Sequence, residues 1–112
     1  MYRATALARS ALQPSVPLQP TRVALPWYEA EDWPILHSLF LERDTVPESY
    51  DEWLVRALEA ERRYTVDGYE VVRVIVRPEA LLDWCQANNR IIDLKARHDY
   101  AQELLARSYL GG

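Results

Sequence analysis

The sequence predicts an α+β fold, with about four helices packed on a minimal sheet of one or two strands in β-α-α-β-α-α order. Three observations predict it. Apolar residues recur at three- and four-residue spacing in four separate stretches. One run, Glu70 to Val76, is dense in β-branched residues, as strands are. Helix-start residues precede the apolar stripes, most clearly Ser49 with Glu52 three residues on.

The elements follow in chain order. Thr21 to Leu25 is a short β-prone run, expected to stop at Pro26. Trp33 to Arg43 places Trp33, Leu36, Leu39 and Phe40 on one helical stripe, with Asp32 as N-cap and Pro34 in the first turn. In the capping box at Ser49, the hydroxyl takes the Glu52 amide and the Glu52 carboxylate returns to the Ser49 amide. The helix it starts carries Tyr50, Trp53, Leu54, Ala57, Leu58 and Tyr64 along one stripe, and Asp67-Gly68 ends the connection. After the Glu70–Val76 strand, Pro78 opens a helix with Leu81, Trp84 and Cys85 inward, halted at Asn88-Asn89. Asp93 caps the last helix, with Leu94, Ala101, Leu104, Leu105 and Ser108 on one side.

The 70–76 strand needs a partner, because a lone strand leaves its amides and carbonyls unpaired. It can pair with Thr21–Leu25, with the same strand of a second copy, or with another protein's sheet. The first option gives the order above. Val23 to Trp33 and Val74 to Trp84 also share Val, Asp and Trp at an offset of 51 positions, a weak hint of duplication.

The chain has 112 residues, enough for one hydrophobic core behind a tail. Residues 1–20, rich in Ala, Ser, Gln and Pro, are expected to form a flexible arm, and residues 21–110 a single domain. Arg9 interrupts the apolar stretch Ala4 to Leu12, which argues against a secretory signal. The arm's acid-free Arg and Ser content resembles a transit peptide, but a flexible arm or an upstream start codon is the preferred reading. No stretch approaches the ~20 apolar residues that cross a bilayer, so no membrane partner is expected. The single cysteine excludes an intramolecular disulfide and any multi-thiolate zinc site. The net charge is −4, with residues 29–61 strongly acidic, which argues against nucleic acid as a partner. All but one of the 13 basic residues are arginine.

The run Leu25-Pro26-Trp27-Tyr28, then Tyr50-Asp51-Glu52-Trp53-Leu54, then Val71-Val72-Arg73-Val74 with Pro78 and Trp84-Cys85, resembles a small bacterial protein family of uncharacterised function. The similarity covers about residues 22–108. It implies a bacterial, cytoplasmic protein and implies nothing about mechanism.

Candidate chemistry is sparse. Cys85 sits on an apolar stripe, and the only imidazoles are His37 and His98, which share no metal-binding spacing. Three glycines and the absence of GxGxxG, GxxxxGK[ST] or GxSxG leave no phosphate-cradling loop or nucleophile elbow. No cofactor, metal site or catalytic residue is expected. The acid pairs Glu31-Asp32 and Asp51-Glu52 suit helix N-termini, where the dipole favours negative charge.

The least ordinary cluster is acidic and aromatic: Trp27, Tyr28, Trp33, Tyr50 and Trp53 interleaved with Glu29, Glu31, Asp32, Asp51 and Glu52. Aromatic faces attract cations, and nearby carboxylates add to that attraction. Trp33 and Trp53 fit helix stripes and read as core, whereas Trp27 and Tyr28 fall on a connection where no helical period demands them. The expected function is a non-catalytic interaction module that self-associates as a homodimer through strand 70–76. It would bind a basic protein or cationic ligand at Trp27, Tyr28, Glu31, Asp51 and Trp53. The alternative is a small enzyme or ligand-binding protein using Cys85, a histidine and carboxylates.

Overall fold

A computed structural model describes the backbone of residues 21–111 and the side chains through Ser108. The expected N-terminal arm lies outside the described residues. Among them, the chain forms β1 (Arg22–Trp27), a single 3-10 turn (Ala30–Asp32), α1 (Trp33–Leu39), α2 (Tyr50–Val66), β2 (Glu70–Ile75), α3 (Pro78–Ala87) and α4 (Leu94–Gly111). The predicted order of four helices and two strands is observed.

β1 and β2 pair in parallel, from Arg22 opposite Glu70 to Trp27 opposite Ile75. The Glu70 and Val76 amides donate to the Thr21 and Trp27 carbonyls, each at 2.9 Å. Backbone groups alternate sides along a strand, so the even positions of β2 and the odd positions of β1 face the ladder. Arg22, Ala24 and Pro26 therefore face outward from β1. This explains why β1 runs through Pro26 instead of stopping at Leu25: a proline at an outward position takes no ladder bond away. The register sets an offset of 48 residues, not 51, so the Val–Asp–Trp echo does not mark equivalent sheet positions.

The core lies at the end of the sheet where both strands finish. Tyr28 and Val76, each one residue past a strand, meet Trp33, Leu36 and Phe40 from the α1 region, Leu81 and Cys85 of α3, and Ala96 and Tyr100 of α4. α4 packs against both strands, and α2 packs against β2.

Helix ends follow the sequence chemistry, with three exceptions. The Ser49 hydroxyl accepts from the Glu52 amide at 3.0 Å, but the return bond from the Ser49 amide to the Glu52 carboxylate does not form; the Asp93 carboxylate accepts from the Ala96 amide at 2.8 Å. Pro78 occupies the first turn of α3, and Asn89, at φ 57°, turns the chain in the left-handed region after it. Asp32, expected to cap α1, makes no side-chain cap; it is buried, with its carboxylate 2.8 Å from Arg77 Nε just before α3. α1 also ends at Leu39, four residues before the expected Arg43, and Phe40 drops in extended backbone into the core. On α2 the expected stripe is only half-buried, and Leu58 is exposed. Leu94 and Ser108 of α4 are exposed rather than inward.

One buried charge ties distant segments together. Arg97 of α4, 3% exposed, donates through Nη1 and Nη2 to the two Glu42 carboxylate oxygens at 3.2 and 2.9 Å. Its Nε donates to the Tyr28 hydroxyl at 3.0 Å, and its guanidinium carbon lies 3.8 Å from the centre of the Phe40 ring. Burial opposes the charge, yet the Glu42 and Tyr28 contacts outweigh that and hold Arg97 more firmly protonated than usual. Removing one partner from such a pair strands the other charge inside the protein, at a cost of several kcal/mol when burial is complete. The Glu42 side chain keeps 29% of its exposure, which reduces that cost. Glu42→Gln is expected to destabilise the protein by roughly 2–3 kcal/mol in urea denaturation. Glu59→Gln, on the exposed side of α2, should change stability by at most about 0.5 kcal/mol. Equal effects would show that the Arg97 clamp is energetically idle.

Candidate functional site

The acidic and aromatic residues do come together in space. Trp53 of α2 lies 5.3 Å from Trp27, 4.9 Å from Tyr28, 5.5 Å from Trp33 and 5.4 Å from Tyr50, ring centre to ring centre. These distances and tilts are those of favourable edge and offset contacts. The Trp33 indole N–H donates to the Glu48 carbonyl at 2.7 Å, and the Tyr50 hydroxyl donates to the Tyr28 carbonyl at 3.0 Å. The cluster thereby locks the start of α2 onto the end of β1.

The cluster is not a free aromatic surface. Trp27 is 6% exposed and Tyr28 4% exposed, so both are core residues rather than groups presented on a connection. Trp27 closes β1, and Tyr28 points inward because its hydroxyl meets Arg97. A cation already sits on the Trp27 ring: the Arg73 guanidinium carbon of β2 lies 4.0 Å from its centre. Glu61 of α2 holds that guanidinium with two bonds of 2.6 and 2.8 Å. The place expected for a cationic partner is thus filled by the chain's own arginine. Of the other expected residues, Glu31 borders a shallow depression with Tyr50, Arg73 and Ile75, Trp53 is half-buried in the cluster, and Asp51 is exposed in the first turn of α2.

Among the described residues no hydrogen bond joins the Cys85 thiol to either imidazole. Cys85 is buried in the core, and burial is the main reason its thiol is pushed up from the usual value, away from the thiolate a nucleophile needs. The charges that act on it come from Arg90, Asp93 and Arg97, not from a histidine. His37 Nε2 is 3.2 Å from the Val46 carbonyl, and its ring packs on Trp33. Among the described residues no group of three His, Cys, Asp or Glu side chains could hold a metal ion, and no helix is long and apolar enough to cross a membrane.

A different depression was not apparent from the sequence. It lies beside β1 and measures about 300 Å³, walled by Trp53, Ala57, Ala60 and Tyr64 of α2 and by His98 of α4. Leu25, Pro26 and Trp27 form its floor, and Arg56 and Arg63 complete the lining. Ala57 and Ala60 are small residues on the same α2 stripe as Trp53 and Tyr64, which leaves room between helix and strand. That stripe was the only sequence signal for it; the wall from α4 arises solely from tertiary packing.

His98 is half-buried there, and burial pushes its imidazole below the ordinary histidine value, with the Arg97 charge adding and Asp99 opposing. The folded state then binds the proton less well than the unfolded chain. Its contribution is complete above pH 6.5 and is lost as the pH falls toward the lowered folded value. Glu42 is held below the usual carboxylate range: burial raises it, and the Arg97 hydrogen bond and charge more than offset that. Its contribution is lost only at lower pH, as its carboxylate protonates. Urea denaturation should therefore show stability falling between pH 7.5 and pH 5, and His98→Asn should flatten that fall. An unchanged slope in the variant would contradict the assignment to His98.

No family model, curated protein or solved structure matches the chain, so the resemblance noted from its residues carries no argument about function.

Proposed function

We propose that this protein is a self-associating interaction module whose pairing element is the outer edge of β2. The observation that carries the reading is the state of that edge. Val71, Arg73 and Ile75 direct their backbone groups away from β1, and among the described residues nothing accepts from or donates to them. A β-branched edge strand with free amides and carbonyls is a template for another strand. The surroundings are apolar as well: Ile75, Tyr69 and Leu58 are exposed beside it.

The occupant that fits is a second copy, antiparallel across a two-fold axis at Arg73. Val71 of one copy then faces Ile75 of the other, and Val72 faces Val74, so each contact beside the axis is apolar against apolar. Two arginines meet at the axis, and the bidentate Glu61 partner neutralises each of them. A two-stranded sheet becomes four-stranded, a size at which sheets are commonly stable. β1 is unsuited to the same role, because Pro26 offers no N–H and the Ala24 amide already donates to Gln102 Oε1 at 2.6 Å.

Multi-angle light scattering between about 1 and 100 μM should find a mass twice that of one chain at the upper end, the concentration range of modest interfaces. Ile75→Lys, at an exposed site, should return the mass to one chain with the fold intact by circular dichroism. Val71→Pro should do the same, since it removes only an outward N–H. A single-chain mass for the natural sequence at 100 μM would overturn the proposal, as would dimers that survive both variants.

A further inference from the structure

We infer that the cleft beside β1, between α2 and α4, is a binding site for a small organic anion with a flat apolar body. The inference is independent of self-association, because the cleft lies at the opposite edge of the sheet from the β2 edge.

Arg73, Arg77, Arg90, Arg97 and Arg107 each have a carboxylate partner. Arg43, Arg56, Arg62 and Arg63 have none among the described residues; Arg43 and Arg62 lie at other surfaces, and Arg56 and Arg63 share the cleft. This is not for want of acids nearby. Glu52 and Glu59 stand four residues before them, the favourable order for an ion pair along a helix, yet neither pair closes. Both arginines line the cleft instead, and no acidic residue lines it with them.

The remaining lining defines the rest of the ligand. Trp27, Trp53 and Tyr64 supply aromatic wall, and His98 supplies a ring nitrogen on the opposite side. The volume of about 300 Å³ is at the small end of the range for ligand sites. Apolar walls with a few convergent polar groups are the usual composition of such sites. The floor offers little to a peptide strand: Pro26 lacks an N–H, and the Ala24 amide is already bonded to Gln102. Donors for a ligand must come from side chains, and the guanidinium fork suits a carboxylate or a phosphate equally. Arg56 and Arg63 are seven residues apart, about 10 Å along the helix axis, so one of them can hold the head group while the body lies along the aromatic wall. The chain's own first 20 residues contain Arg3 and Arg9 and no acid, a poor electrostatic match for this lining.

The test uses three probes of one shape: 2-naphthoate, 2-naphthyl phosphate and the neutral 2-naphthalenemethanol. Each is titrated into the full chain while the indole and imidazole resonances are followed by NMR. Both anions should shift Trp27, Trp53 and His98 while leaving the Trp84 indole in place, and should bind at least about tenfold more tightly than the alcohol. The tighter of the two anions identifies the head group. Arg56→Gln/Arg63→Gln alters two exposed side chains, so the fold is retained, and it should reduce both anions to the affinity of the alcohol. Equal binding of all three probes, undiminished binding in the double variant, or no shift at millimolar probe would each overturn the inference.

Discussion

A buried cation organises this molecule. Arg97 stands in α4, Tyr28 just after β1, and Phe40 and Glu42 after α1, so one guanidinium joins three segments separated by up to 69 residues. Two of its contacts fix geometry rather than merely attract. Glu42 meets the planar fork with both oxygens, and Phe40 offers its ring face to the same plane. With Arg97 so held, Tyr28 must point inward, and the aromatic cluster assembles on the other side of its ring. Trp33, Phe40 and Trp53 all contact it. The start of α2 is secured through that cluster, and the rest of α2 is free to leave one wall of a cleft and one side of a strand edge open.

Much of the architecture was legible because local chemistry determines it. The β-branched run of β2, the Ser49 and Asp93 caps, Pro78 at the start of α3 and the Asn88-Asn89 stop all act within a few residues, and each predicted its element. The errors arose where a distant partner decides. Pro26 read as a stop, and only the direction of its missing N–H relative to the ladder shows why β1 continues to Trp27. Asp32 read as a cap, and Arg77 claims its carboxylate from 45 positions away. Arg97 carries no local signal, because a lone arginine on a helix gives no sign that Glu42 lies 55 residues upstream.

The aromatic cluster was legible in composition, whereas the burial of Trp27 and Tyr28 was not. An aromatic cluster with a cation on one face was expected, and it exists, but the cation belongs to the chain. Arg73 on Trp27, clamped by Glu61, makes the cluster part of the scaffold. The same Arg73 marks the centre of the strand whose backbone is left unpaired. Among the described residues, what lies exposed here is therefore a row of unpaired backbone groups and not a face of aromatics. Among the described residues Arg43, Arg56, Arg62 and Arg63 have no carboxylate partner, and of these four Arg56 and Arg63 line the cleft.

Residue-resolved amide hydrogen exchange tests the role of the β2 edge most directly. Val72 and Val74 donate into the ladder with β1, and their amides should be protected at low and high protein concentration alike. Val71, Arg73 and Ile75 should exchange freely in dilute solution and become protected as concentration rises. Free exchange of these three amides at the highest concentration would contradict the account, since a paired edge cannot leave them open to water.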